Sequence, residues 1–426
     1  MAFGFYTPLT ITSNASLLPA TQTNFPLLVM FTDNRFKTVG NGGHVQNSSG
    51  FDIRPYSDSS LTTALSYELV SGSYNASTGT FQIWVLIPSL SQGLVIYLAY
   101  GDSGLSTDGT NLSAVWSANG YKCVYHHEQA TSANAPDSSG NGNAATNVAG
   151  STVSTTGQIK NGISTSGVDW FTTPQSAFGT NGALTWQGWY KFTTTAQGTY
   201  LFSKDDSLGA IDFWIRNDAS NYLRFAVWNA SAVRGEVGVG GVTASSGVWY
   251  FLVGTYDGAN VNGYVNATAN GAQAALTGNV QNTTTATINM GASLSTTGFN
   301  GVMDEVRLAN VGRSANWVTC EYNNQLNPTT FVTLGTETTP GAAPFLFWDE
   351  MQRPEIVRNV IIPVSNMLPL RRRTQHVIRT QIRTDRPAHL GGVDDAGVVH
   401  RDYHLQAENQ LHHARGVECH TGGQRR

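Results

Sequence analysis

Short runs of β-branched and aromatic residues recur along the first 337 positions, and nearly every gap between them is filled with Gly, Asn, Ser, Asp or Thr. FPLLVMF, TFQIWVLIP, GLVIYLAYGD, ALTWQGWYKFTT, AIDFWIRND, YLRFAVWN and VWYFLVGTYDG are examples. Runs this short cannot make surface helices, which also need a supply of Lys, Glu and Arg that a chain with 12% charged residues lacks. Polar punctuation between apolar runs instead predicts an all-β protein.

The pattern divides the 426 residues into pieces. Residues 1–105 read as a β-sandwich. Between 80 and 87, Phe81, Ile83, Val85 and Ile87 fall on one face and Gln82, Trp84 and Leu86 on the other. A linker follows at 106–115. Residues 116–338 hold evenly spaced strands with no helical pattern between them, which predicts a two-sheet jelly roll. The tail, 339–426, changes in kind. It carries twelve Arg, no Lys, nine acidic residues and seven of the ten His, but only four aromatic residues. Its net charge is +3 against −7 for the body. Residues 350–361 could form a short helix; the rest has no period and reads as a basic, weakly ordered segment. A basic interaction tail and an out-of-frame extension of the gene both fit that composition.

The bulk properties also exclude. A net charge of −4 offers no general attraction for nucleic acid or an anionic membrane. No apolar run is long enough to insert into a bilayer, and the opening MAFGFYTPLTITSNAS enters a strand without the pattern of a secretion signal. Cys123, Cys320 and Cys419 match no metal spacing; Cys123 and Cys320 are either two buried thiols or a pair.

Three segments carry a resemblance. YHHEQATSANAPDSSGNGNAATNV, GALTWQGWYKFTT and FNGVMDEVRLANVGRSANWVTCEYNNQLNPTTFVTLG are similar, in order and spacing, to the opening, the first central strand and the closing strand–turn–helix–strand of the laminin-G-like, concanavalin A-like lectin/glucanase superfamily. The likeness covers about residues 116–337. Residues 1–105 resemble a bacterial domain of unknown function that commonly precedes such domains, through NFPLLVMF, GFDIRPYSD, IWVLIPSL and VIYLAYGD. The resemblance implies a concanavalin A-like jelly roll, ligand binding on its concave sheet or rim loops, and in many similar domains a calcium ion.

Asp304 and Glu305 raise the question of catalysis. Glycoside hydrolysis needs two carboxyl groups about 5–10 Å apart across one bond. Adjacent strand residues point to opposite faces, so Val302, Asp304, Val306 and Leu308 are expected on one face and Met303, Glu305 and Arg307 on the other. The acid spacing of the glucanase branch is missing, and Asp212 is the one acid expected on the sugar-facing surface. No hydrolytic pair emerges; a hydrolase or lyase is the weakest of the readings. A metal reading joins Asp304 to Asp137 and Asn141 in the DSSGNGN loop, an oxygen-rich turn that suits calcium and equally suits an ordinary Asx turn. Ser314 is placed to cap a short helix carrying Trp317 and Cys320.

The hairpin AIDFWIRNDASNYLRFAVWNAS offers the strongest binding pattern. Ile211, Phe213, Ile215, Leu223, Phe225 and Val227 form its apolar face. Trp214, Arg216, Tyr222, Arg224 and Trp228 fall opposite, where aromatic planes could stack on sugar rings and guanidinium groups could bond hydroxyls. Cross-strand packing explains the same pattern. The reading is of a non-catalytic, lectin-like protein that recognises glycans or cell-surface polysaccharide. Its location is expected to be the virion, as a bacteriophage tail, fibre or capsid-surface component beside other surface proteins, or extracellular. The alternative is a purely structural assembly protein.

Overall fold

The computed structural model describes residues 3–149, 152–173, 182–195, 198–206, 210–292 and 298–340. The expectations for the tail, including a helix at 350–361, lie outside these residues. The architecture is all-β, as expected, and its sheets stack as four layers.

The outermost layer is a four-stranded sheet in the order Val332–Leu334, Phe5–Ile11, Val95–Tyr100, Arg54–Tyr56. Packed on it is a three-stranded sheet, Gln22–Thr32, Thr80–Leu90 and Tyr67–Leu69. The predicted alternation holds. Phe81, Ile83, Val85 and Ile87 face the first core with Leu9, Phe25 and Leu98. The other face is not solvated: Leu28 and Trp84 are buried against Trp116, Tyr121 and Val124 of the second domain. The linker is itself part of this junction, because Leu112–Val115 forms a helical turn capped by Asn111 and Val115 is buried.

The third and fourth layers are the jelly roll. A nine-stranded sheet centres on Leu184–Phe192 and Asn300–Ala309, and a seven-stranded sheet on Ile211–Asn217 and Tyr200–Asp205. Between them Phe213, Ile215 and Phe225 meet Trp186, Tyr190, Met303 and Leu308. Glycine permits this approach at one point, where a Cβ on Gly263 would sit 2.3 Å from Phe225 of the facing sheet; within the nine-stranded sheet, Gly254 likewise leaves room for the ring of its neighbour Trp186.

The closing segment departs from expectation. Ser314 does cap the helix Ala315–Leu326, its hydroxyl accepting from the Trp317 amide at 3.2 Å. That helix is a wedge. Trp317 and Cys320 enter the first core, where Trp317 meets Phe25 at 4.9 Å. Val318 and Tyr322 pack on Trp189 and Phe251 of the nine-stranded sheet. Asn324 mimics a neighbouring strand, accepting from Leu28 N at 2.8 Å and donating to Leu28 O at 3.0 Å. The chain then returns to the first domain, and Val332–Leu334 pairs with Phe5–Ile11 rather than closing the jelly roll. Local composition marks a strand here; its partner, more than 320 residues away, leaves no local trace. Cys123 and Cys320 are separate buried thiols in different cores, so the disulfide reading is corrected.

Candidate functional site

The two outer faces of the jelly roll meet different fates. The nine-stranded sheet turns its outer face to the first domain and the wedge helix, and it is there that Asp304 and Glu305 lie. Glu305 has a φ of 50°, in the left-handed region. At this point the register slips: Arg307 opposes Gln187 while Asp304 opposes Trp189, leaving two residues of one strand against Gly188. The expectation that the two carboxylates point apart is therefore corrected. Met303, Val306 and Leu308 take the core face. Asp304, Glu305 and Arg307 all lie opposite, at 1% exposure or less.

A buried ionic chain results. Arg307 donates to Glu305 at 2.5 Å and to Glu321 at 2.7 Å, and its guanidinium lies over the rings of Trp84 and Trp116 at 4.2 and 4.7 Å. His126 stands between Glu305, at 2.9 Å, and Glu68 of the first domain, at 3.1 Å. Burial alone would discharge that imidazole, but the charges of Glu305 and Glu68 outweigh it and hold its pKa up at about 10. Burial would likewise raise Glu305; His126 and Arg307 reverse this and bring it to about 2. Among the described residues Asp304 has no cationic partner. Its Oδ2 accepts from Ile159 N at 2.7 Å, and burial with the neighbouring Glu305 charge pushes its pKa well above the usual carboxylate range. His127, buried beside Gln129, is driven down to about 3 by burial. The chain from Glu68 through His126, Glu305 and Arg307 to Glu321 fastens the two domains.

The loop 137–143 forms separately from Asp304. Asp137 accepts from the amides of Val124, Ser139 and Asn143 and from the Ser139 hydroxyl, at 2.7–3.0 Å. Asn141 donates to the Tyr121 and Lys122 carbonyls at 2.9 and 3.1 Å. This is the Asx-turn arrangement, with both Asp137 oxygens engaged by protein donors. The calcium reading would need Asp304 to join it, whereas Asp304 turns to Ile159. Among the described residues no group of three or more His, Cys, Asp or Glu is placed to hold a metal ion.

The seven-stranded sheet keeps its outer face. Phe213, Ile215, Leu223, Phe225 and Val227 face the core as expected. A register shift between Lys204 and Asp205 sends Ile211 to the outer side, where it packs with Trp214 and Trp228. Trp214, expected to be open, is 1% exposed. Its ring is enclosed by Tyr200 at 6.2 Å, Trp228 at 6.1 Å and the Arg216 guanidinium at 4.4 Å. It braces the face rather than offering a stacking surface. Asp212 is also withdrawn, ion-paired with Lys204 and accepting from the amide and hydroxyl of Thr283. Trp228, Tyr222, Arg216 and Arg224 are partly open, and Arg234 is 50% exposed along its side chain. Arg224 pairs with Asp218 at 3.0 Å and with Glu236, which also meets Arg234 at 3.1 Å. Tyr200 and Glu236 belong to this face and were not expected. The Arg-Gly-Glu spacing at 234–236 is the signal for the second, since residues two apart on a strand share a face.

Residues 165–319 match the sequence model of the concanavalin A-like lectin/glucanases superfamily. No curated protein sequence matches the chain significantly. Among solved structures, domain 4 of AbnA, a GH43 extracellular arabinanase from Geobacillus stearothermophilus in complex with arabinotriose, is 17% identical, with a TM-score of 0.40 over 47% of this chain and 97% of that one. The binding domain of Paraclostridial Mosquitocidal Protein 1 is 11% identical, with a TM-score of 0.38 over 48% of this chain and 52% of that one. The botulinum neurotoxin type G receptor-binding domain is 13% identical, with a TM-score of 0.37 over 48% and 51%. The chain thus spans about half the length of the two toxin domains. Among the described residues no helix is long and apolar enough to cross a membrane.

Proposed function

We propose that this is a non-catalytic, lectin-like binding protein that takes saccharide on the outer face of its seven-stranded sheet. One observation carries the reading: the opposite sheet is sealed by the first domain, while this face keeps Trp228, Tyr222 and three arginines within reach of solvent. Indole and phenol rings supply apolar planes for sugar C–H groups, and guanidinium groups supply donors for hydroxyls. Binding is favoured over hydrolysis because the acids near the face are committed. Asp212 serves Lys204 and Thr283, and Glu236 serves Arg224 and Arg234. The low charge and the Ser, Thr, Gly and Asn content suit work outside a cell. A phage particle is one such setting, checked by looking for the chain in purified virions.

The test is a polysaccharide array probed with the full chain and with Trp228→Ala. Loss of one stacking ring is expected to weaken binding about tenfold, near 1.4 kcal/mol. A wild-type chain that binds no glycan, or a variant that binds unchanged, would favour a second reading supported by the burial of Trp214: a face built only for rigidity or protein assembly.

A further inference from the structure

Two arginines sit directly across from one another on the open face, Arg216 on Ile211–Asn217 and Arg224 on Leu223–Trp228. Like charges in that relation repel, and neutralising both would be the ordinary remedy. Only one is neutralised. Arg224 meets Asp218 and Glu236. Arg216 meets no carboxylate among the described residues. It lies on the rings of Trp214 and Tyr200, at 4.4 and 5.7 Å, with a long 3.4 Å contact from Nη1 to the Tyr200 hydroxyl. The side chain is partly open to solvent, and its Nη2 makes no hydrogen bond among the described residues. A guanidinium held flat by aromatic packing, with unused donors, is preorganised for a planar anion.

We infer that the ligand is an acidic saccharide, and that Arg216 receives the carboxylate of a uronic or similar sugar acid; this rests on the saccharide reading above. Within the ion-paired patch Arg216, Arg224 and Arg234 face Asp218 and Glu236, so Arg216 is the guanidinium left over, and a singly charged group suffices to match it. A phosphate dianion would meet repulsion from Asp218 and Glu236 close by. Trp228 lies within the same patch to carry the ring of the sugar. The arginine-over-indole stack also explains why Trp214 is buried: it holds the guanidinium still.

The experiment measures binding of the full chain to polygalacturonate, alginate and hyaluronan, each beside its carboxyl-reduced form, with arabinan, xylan and dextran sulfate as further arms. At least one uronate polymer is expected to bind ten times more tightly than its reduced form. Arg216→Gln is expected to bring that ratio close to one, whereas Lys191→Gln, which removes the same charge on the other sheet, leaves it unchanged. Near-native circular dichroism and unfolding midpoint for both variants exclude a folding defect. Equal binding of neutral and acidic polymers, still weakened by Trp228→Ala, overturns the acidic ligand and leaves the saccharide reading standing. Tightest binding to dextran sulfate, or a ratio that Arg216→Gln does not alter, also overturns it. Binding to no polymer removes both readings.

Discussion

Arg307 and Arg216 are built alike and placed oppositely. Each is a strand residue on the outer face of a jelly-roll sheet, and each lies over aromatic rings, Trp84 and Trp116 for one, Trp214 and Tyr200 for the other. Arg307 is roofed by the first domain and meets Glu305 and Glu321. Arg216 has no roof and no carboxylate among the described residues. Desolvation decides the difference. A guanidinium sealed from water must be matched by buried counter-charge, whereas one at the rim can stay unmatched and remain available. Two faces made from the same residue types thus become a buried joint and an open face, the one proposed above to take ligand.

The joint should fail much harder than the surface when each arginine is cut back. Arg307→Ala strands Glu305 and Glu321 in a dry site, and urea unfolding is expected to show a loss of about 3–5 kcal/mol. Arg216→Ala is expected to change stability by less than about 1 kcal/mol; similar losses for both would erase the contrast. The joint also carries a pH signature. His126 has a folded pKa of about 10, above the ordinary value of 6.5, so its contribution is complete below pH 6.5 and disappears as pH rises through 10. Glu305, at about 2 against 4.5, contributes above pH 4.5 and is lost only as pH falls through 2. Unfolding midpoints followed from pH 6 to 10.5 are expected to decline, and the decline should flatten in His126→Gln. Asp304 has the opposite sign. Its pKa is raised, so it costs stability once pH exceeds the unfolded value of 3.8. Asp304→Asn keeps an acceptor for the Ile159 amide and is expected to raise the unfolding midpoint at pH 7. A loss there would mean that the carboxylate is charged and paired. The smallest effect is Trp228→Ala on stability, within about 1 kcal/mol by thermal unfolding, even as binding falls.

Much of this could be read from residues alone, and the gaps have physical causes. The alternation at 80–87 and the core face of the hairpin follow from the period of a strand. What that period does not reveal is where it breaks. Glu305 adopts a left-handed backbone without being glycine, and Ile211 changes sides at a register shift; neither carries a composition cue. Burial is likewise non-local. Nothing near Trp84 indicates that a second domain will cover it, and nothing near Trp214 distinguishes an indole clamped by Arg216 from one left open.

The return of Val332–Leu334 to Phe5–Ile11 has a consequence for synthesis. At about 5–20 residues per second, a ribosome needs on the order of ten to forty-five seconds to add the residues between 105 and 332. Throughout that interval the first sandwich lacks its edge strand and the rings of Trp317 and Phe331 that fill its core. A nascent chain in that state displays an unpaired strand, the template on which neighbouring polysomes aggregate. The first sandwich is therefore completed only after the whole of the inserted jelly roll has been synthesised.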